Sequence, residues 1–319
     1  MASISEFRHS IEMGSQCYHR YVCHPNGDTG LVLPHASKVF LVRAAFLESC
    51  STIFRTQLAK ARRLKNTKDD GDEERLMLTD NESDAKAMRI VMNILNGNRD
   101  QVPKELGLNR FTKVAVIVDR WQIGSPKVAY FARQWGNLLH RRLTLSPFGC
   151  DLFKKYMEPQ RELVLLLYAS WVFKSPSLFK EATGRLVDST HGFLRVPKEL
   201  RIPQAVIDAV HRKKQEIFGR IMRLIDERLD DLFEHEVGCH CRLKQIGVLV
   251  DRKKYLSCND MASGNYVSGI IDWLRFPCPW DEEAGCKCED DDKMASFFWR
   301  ETGKFEKWVD LTYFLPYAM

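Results

Sequence analysis

The hydrophobic pattern of this chain changes its period once, and that change restricts the fold more than any single motif does. Short β-type runs occur only within the first eighty residues, and apolar residues at helical spacing fill most of the remaining chain. Leu31-Val32-Leu33 and Lys38-Val39-Phe40-Leu41-Val42 flank the turn Pro34-His35-Ala36-Ser37, which predicts a hairpin. From Arg43 the pattern is helical, with Ala44, Leu47, Ile53, Phe54 and Leu58 marking apolar faces across two short segments. Residues 65–75, KNTKDDGDEER, form a charged loop without an apolar anchor, and Leu76-Met77-Leu78 is a further strand. Ser83 is placed to cap a helix whose inner face is Ala85, Met88, Val91, Met92 and Leu95, and Asn96-Gly97-Asn98 stops it. A second helix runs from about Asn109, with Phe111, Val114, Ala115 and Val118 inward. A third opens at Ser125-Pro126 and buries Val128, Phe131, Trp135, Leu138 and Leu139. Strands first and helices after them give an α+β order.

Ser146-Pro147-Phe148-Gly149 is a plausible boundary, beyond which the pattern is almost entirely helical. Leu163 to Phe173 is a buried helix, and Ser175-Pro176 caps the next, through Val187. Pro203 opens the strongest amphipathic signal, with Ile217, Ile221, Leu224, Ile225, Leu232 and Phe233 on one side, ending near Gly238. Residues 1–27 are a poorly patterned segment, apart from the turn around Pro25-Asn26-Gly27-Asp28. The expected organisation is therefore an α+β domain over 28–145, a helical extension over 150–238, and a Cys-containing region over 239–319.

A chain of 319 residues is near the upper limit for one hydrophobic core, so two domains are expected. With 45% hydrophobic and 28% charged residues, whole-chain disorder is excluded. The longest fully apolar run, Leu163 to Ala169, falls far short of the roughly 20 residues that cross a bilayer. The opening MASISEFRHSIEMGSQ lacks the apolar segment of a secretory signal, which points to a cytoplasmic or nuclear protein with its ten Cys mostly reduced. Residues 1–150 hold 22 Lys and Arg against 15 Asp and Glu, and the remainder 26 against 27, so the basic excess is mild and N-terminal.

No glycine-rich phosphate loop, nucleophile elbow or His-Glu-x-x-His helix occurs, and no catalytic, cofactor-binding or metal residue is assigned. His35, His140 and His191 have no assignable partner and are expected to be structural or at the surface. Cys239-His240-Cys241 and Cys286-Lys287-Cys288, with Cys258 and Cys278 between, hold enough ligands for a tetrahedral zinc site. Each pair is separated by one residue rather than the two to four of a structural knuckle, which favours free thiols. The basic triplets Arg212-Lys213-Lys214 and Arg252-Lys253-Lys254 are expected to be solvated helical faces.

The string Phe40-x-Val42-x-x-x-Phe46-Leu47, followed by Ser49, Ser51 and Phe54, resembles the hairpin-to-helix junction of BTB/POZ domains. Leu76-Met77-Leu78, the helix from Ala85 to Leu95, and Ala115, Val118, Asp119, Arg120 and Trp121 then follow in that family's order. The resemblance is closest to fungal BTB proteins, whose helical extension is similar to Leu165 to Pro176, Leu178 to Val187 and the Pro203-led helix. The family's His after the second strand is Arg43 here. The resemblance implies a non-enzymatic protein–protein interaction module, an adaptor or assembly protein. Its partners would be proteins: a second copy, or a cullin-type ubiquitin ligase scaffold. No membrane, small-molecule or cofactor partner is expected. The alternative is a nucleic-acid-associated regulator using the basic N-terminal half.

Overall fold

The structure is a computed structural model, and it describes residues 10–13, 16–66, 76–145, 159–189, 194–234, 240–258, 270, 274, 296–298, 300–305, 310–311 and 314. It is a mixed α+β protein, mainly helical, with one small sheet. The chain divides into two compact units, Met1–Leu152 with Tyr168–Leu178, and Phe153–Leu167 with Phe179–Met319. The boundary expected at 146–149 lies outside the described residues.

Among the described residues the first unit holds five strands, β1 (Ser10–Met13), β2 (Gln16–Val22), β3 (Thr29–Leu33), β4 (Lys38–Val42) and β5 (Leu76–Thr79), in the spatial order β1-β2-β4-β3-β5. The predicted hairpin is present, with β3 antiparallel to β4 and Leu31 opposite Phe40. Its turn is one 3-10 turn, Pro34–Ala36. All five residues of β3 are buried, so the sheet is covered on both faces. Tyr18, Val32, Val39 and Leu41 cluster on one face with Met77 packed against them. The strand β5 lies parallel to β3 with Met77 opposite Gly30, and a Cβ on Gly30 would sit 2.6 Å from the Met77 sulfur. A side chain there would push the two strands apart.

The sheet begins earlier than expected, and a domain opening at residue 28 would omit two of its strands. The strand β2 runs parallel to β4, with Tyr21 opposite Phe40, and β1 is antiparallel to β2. Its pattern hides it: Tyr18 is buried, but Val22 is 46% exposed, and His19 and Arg20 stand between them. Its parallel partner β4 is about twenty residues distant, and its antiparallel neighbour β1 is only four residues long.

Helices α1 (Ala44–Cys50) and α2 (Thr52–Asn66) follow the hairpin, and α3 (Ala85–Asn96), α4 (Leu108–Arg120) and α5 (Pro126–Leu145) follow β5. The cap of α3 is Asp84 rather than the expected Ser83, and its carboxylate accepts the amides of Lys86 and Ala87 at 3.0 and 2.9 Å. Ser83 is displaced from that role because its own amide donates to Asp80. The helix α3 is more deeply set than a one-faced pattern implies, since Ala87 and Met88 are buried and so is every residue from Ile90 to Leu95. It packs on β4, α4 and α5.

Helices α6 (Pro159–Val172) and α7 (Pro176–Ser189) each contribute residues to both units. The second unit continues with α8 (Gln204–Glu234) and α9 (His240–Cys258), which pack on each other. Five of the six residues expected on the inner side of α8 are buried, and Phe233 is instead 61% exposed. One residue past Leu232, it is turned about 100° off the buried stripe. The predicted helix end near Gly238 lies outside the described residues.

The basic triplets are not uniformly solvated. Lys214 and Arg252 are each 6% exposed, and burial pushes the Lys214 ammonium below its usual pKa. Lys213 pairs with Glu216, and Lys253 with Asp226. Successive residues are about 100° apart on a helix, so a triplet must turn one member inward when the opposite face is needed for packing.

Candidate functional site

Gly97 ends α3 with φ +84°, a left-handed conformation that favours glycine, and sends the chain into the segment 98–104. Asn98 anchors the start of that segment by donating its side-chain amide to the Cys23 carbonyl at 2.6 Å. A 3-10 turn, Arg99–Gln101, comes next, and Val102 tucks in at 6% exposure. The far end is pinned by Trp135 of α5, fully buried, whose indole N–H donates to the Pro103 carbonyl at 2.9 Å. Phe111 and Phe131 meet the Trp135 ring at centroid distances of 6.4 and 5.8 Å. The segment is thereby fixed alongside α5 at both ends.

Between this segment and the outer side of α5 lies an open groove of about 930 Å³. Val102, Phe131 and Leu138 form its apolar floor, Gln134 and Asn137 supply amides, and Arg99, Lys104 and Arg141 stand on its rim with Asp100. Tyr130, 58% exposed, closes one end, held by a 2.8 Å hydrogen bond from the Gln134 amide and an edge contact with Phe131. Arg142 lies outside the lining and pairs with Glu105.

A second surface of the first unit gathers cations on one ring. The Arg43 guanidinium and the Lys127 ammonium lie 5.9 and 5.8 Å from the Phe46 centroid, and His24 meets the same ring edge-on at 5.6 Å. The amide of Asn26 donates to Nδ1 of His24, which fixes that nitrogen as an acceptor.

A buried junction in the first unit holds a carboxylate among hydrogen-bond donors. Asp80 accepts the amides of Glu82 and Ser83 at 3.0 and 3.1 Å and the indole N–H of Trp121 at 2.9 Å, with Arg120 at 3.5 Å. Burial pushes its carboxyl up, but the hydrogen bonds from Ser83, Glu82 and Trp121 together outweigh it and hold the pKa below the usual value. Trp121 stacks on Phe54 at 4.2 Å, and the Ser51 hydroxyl donates to the Trp121 carbonyl while accepting the Phe54 amide. These bonds join α1, α2, β5 and α4. Burial pushes the Cys23 thiol up to about 12 and Cys50 to about 11, so both stay protonated at neutral pH.

His35 is exposed in the hairpin turn, and His140 is half-buried on α5. His191, Cys239, Cys278, Cys286 and Cys288 lie outside the described residues, and His240, Cys241 and Cys258 belong to the backbone of α9. Among the described residues no group of three His, Cys, Asp or Glu is arranged to hold a metal ion, and no helix is long and apolar enough to cross a membrane. The helical pattern of the sequence gives no sign of the groove, since it assigns Phe131, Trp135 and Leu138 alike to the core. The one signal for it is Tyr130, an aromatic on the side of α5 opposite its buried stripe.

Family models, curated proteins and solved structures offer no match to this chain.

Proposed function

We propose that the chain is a protein-interaction module, an adaptor or assembly component with a BTB-like first unit and a helical extension. The observation that carries this reading is the groove between residues 99–104 and α5, with its apolar floor and polar rim. The order of elements supports it: a hairpin, two helices, the strand β5, then the helices α3 and α4, the order in which the resemblance from Phe40 to Trp121 runs. Affinity would come from a partner's apolar anchors on Val102, Phe131 and Leu138, and register from the amides and charges around them. No covalent step is involved.

The test is quantitative partner capture with the full chain, its Tyr130→Ala and Leu138→Glu variants, and Lys60→Ala on the exposed side of α2 as control. Circular dichroism establishes that each variant is folded. The expected result is a defined set of proteins retained by Lys60→Ala and depleted about tenfold or more by the groove variants, the scale of a contact residue worth over 1 kcal/mol. Identical protein sets from all four chains would overturn the reading.

A further inference from the structure

We infer that α9 is a self-association surface, through which two copies of this chain pair antiparallel and cross at Gly247. This goes beyond the groove, which belongs to the first unit. The helix α9 is apolar on two sides. Ile246, Leu249 and Leu256 are buried, and Lys253 on that side pairs with Asp226 of α8. Leu243 and Val250, on the outer side, are 52% and 45% exposed. Seven residues separate them, two turns along one ridge. A surface helix ordinarily has one apolar stripe and turns a polar face outwards. Two apolar sides belong to a helix that is covered on both.

The ridge is its own complement. Leu243 and Lys244 precede Gly247 by four and three residues, and Val250 and Asp251 follow it by three and four. When a second α9 is laid antiparallel across Gly247, Leu243 of each copy comes level with Val250 and Asp251 of the other. Positions 244 and 251 are two turns apart on one flank of the helix, and equivalent flanks meet across a two-fold axis. The lysine position of each copy therefore stands opposite the aspartate of the other. Asp251 is exposed and makes no ion pair within its own chain among the described residues. Parallel pairing would instead set lysine against lysine and aspartate against aspartate, which is selected against.

The crossing point is open. Gly247 is exposed, and no atom lies within 4 Å of a Cβ added there, so a second backbone can approach it closely. The Lys253–Asp226 pair sets the register of α8 against α9. In that register the exposed Phe233 is level with Ile246, between Leu243 and Val250, and adds apolar surface at the same height. Leu243 to Asp251 covers about 12 Å of a helix about 10 Å wide, a contact well below the roughly 800 Å² per partner of a standard interface. The dimer is therefore weak, with an expected Kd on the order of tens of micromolar.

The experiment is sedimentation velocity on the full chain, over concentrations that bracket this Kd. The native chain is expected to move towards twice its mass as concentration rises. Val250→Glu should weaken that association about tenfold or more, the scale of an apolar contact residue. Asp251→Lys and Lys244→Asp should each weaken it alone and restore it when the two variants are mixed, since the mixed pair again sets lysine against aspartate at both contacts. A folding defect in either variant could not produce that recovery. Three results would each overturn the inference. One is a single-copy mass throughout, which would leave the ridge to another segment of the chain or to a different protein. The others are association unchanged by Val250→Glu, which would place the contact elsewhere, and charge variants that do not complement each other.

Discussion

Among the described residues, the polar contacts within the first unit and those within the second differ in how far along the sequence they reach. In the first, side chains reach far along the sequence: Asn98 to Cys23, Ser51 and Asp80 to Trp121, Trp135 to Pro103, and Asp28, whose carboxylate accepts the Ala44 amide at 2.6 Å. In the second, most contacts described stay within a turn of helix. Arg185 pairs with Glu181, Lys213 with Glu216, Arg228 with Asp231, and Thr183 returns its hydroxyl to the Phe179 carbonyl. Lys253 to Asp226, which joins α9 to α8, is an exception. Long-range bonds at buried junctions specify one arrangement of elements, because breaking them strands desolvated donors. Turn-by-turn pairs support helices without choosing how the helices pack.

That contrast has measurable consequences. The largest is at Trp135, where replacement by Ala removes a fully buried aromatic and the hydrogen bond that pins Pro103. The expected cost is about 3–5 kcal/mol in chemical denaturation, with early hydrogen exchange in residues 98–104. A cost below about 0.5 kcal/mol, the surface range, would remove Trp135 from the core.

Asp80→Ala comes next, at about 2–3 kcal/mol, since it leaves the Trp121 indole and two amides without their acceptor. The pH dependence has a definite sign. The folded pKa lies below the unfolded one, so Asp80 contributes in full above about pH 4 and its contribution is lost as the pH falls through the folded value. Stability followed by urea titration from neutral to acid pH should show this acid limb in the native chain and a shallower one in Asp80→Asn.

Legibility tracks the same contrast between local and distant contacts. Helices such as α4 and α8 are visible in the sequence because Phe111, Val114 and Val118, or Ile217, Ile221 and Leu224, repeat at a local spacing that burial enforces. The hairpin of β3 and β4 is visible because its turn lies between its strands. The strand β2 is not: its antiparallel partner β1 is only four residues long, and its parallel partner β4 is reached only after β3 has been passed. The groove is equally hidden, because it requires Val102 to meet Phe131 and Leu138 about thirty residues away. The junction at Asp80 leaves no motif: an aspartate after a strand and a tryptophan after a helix acquire meaning only when folded together.

Smaller effects sharpen the comparison. Gly97→Ala places a side chain at φ +84°, and with no atom within 4 Å of the added Cβ the cost is purely conformational, about 1 kcal/mol by thermal or chemical unfolding. Glu181→Ala in the second unit removes an ion pair one turn long, and should cost no more than about 0.5 kcal/mol. Should the same titration give Glu181→Ala a cost equal to that of Asp80→Ala, the distinction between the two units would fail.

The order of strands in the sheet also sets a timetable for synthesis. The hairpin of β1 and β2 is complete at Val22, but the edge it joins ends at Val42, a further twenty residues. At about 5–20 residues per second this hairpin waits about 1–4 s for its template. The other edge waits longer, because β3 is finished at Leu33 and its partner β5 ends only at Thr79. During that interval Leu31 and Val32 line an open strand edge on a nascent chain, the form in which such an edge recruits a neighbouring chain instead of its own. Codon changes that slow translation between residues 43 and 79 would lengthen that exposure, and the yield of soluble protein is where it would be felt.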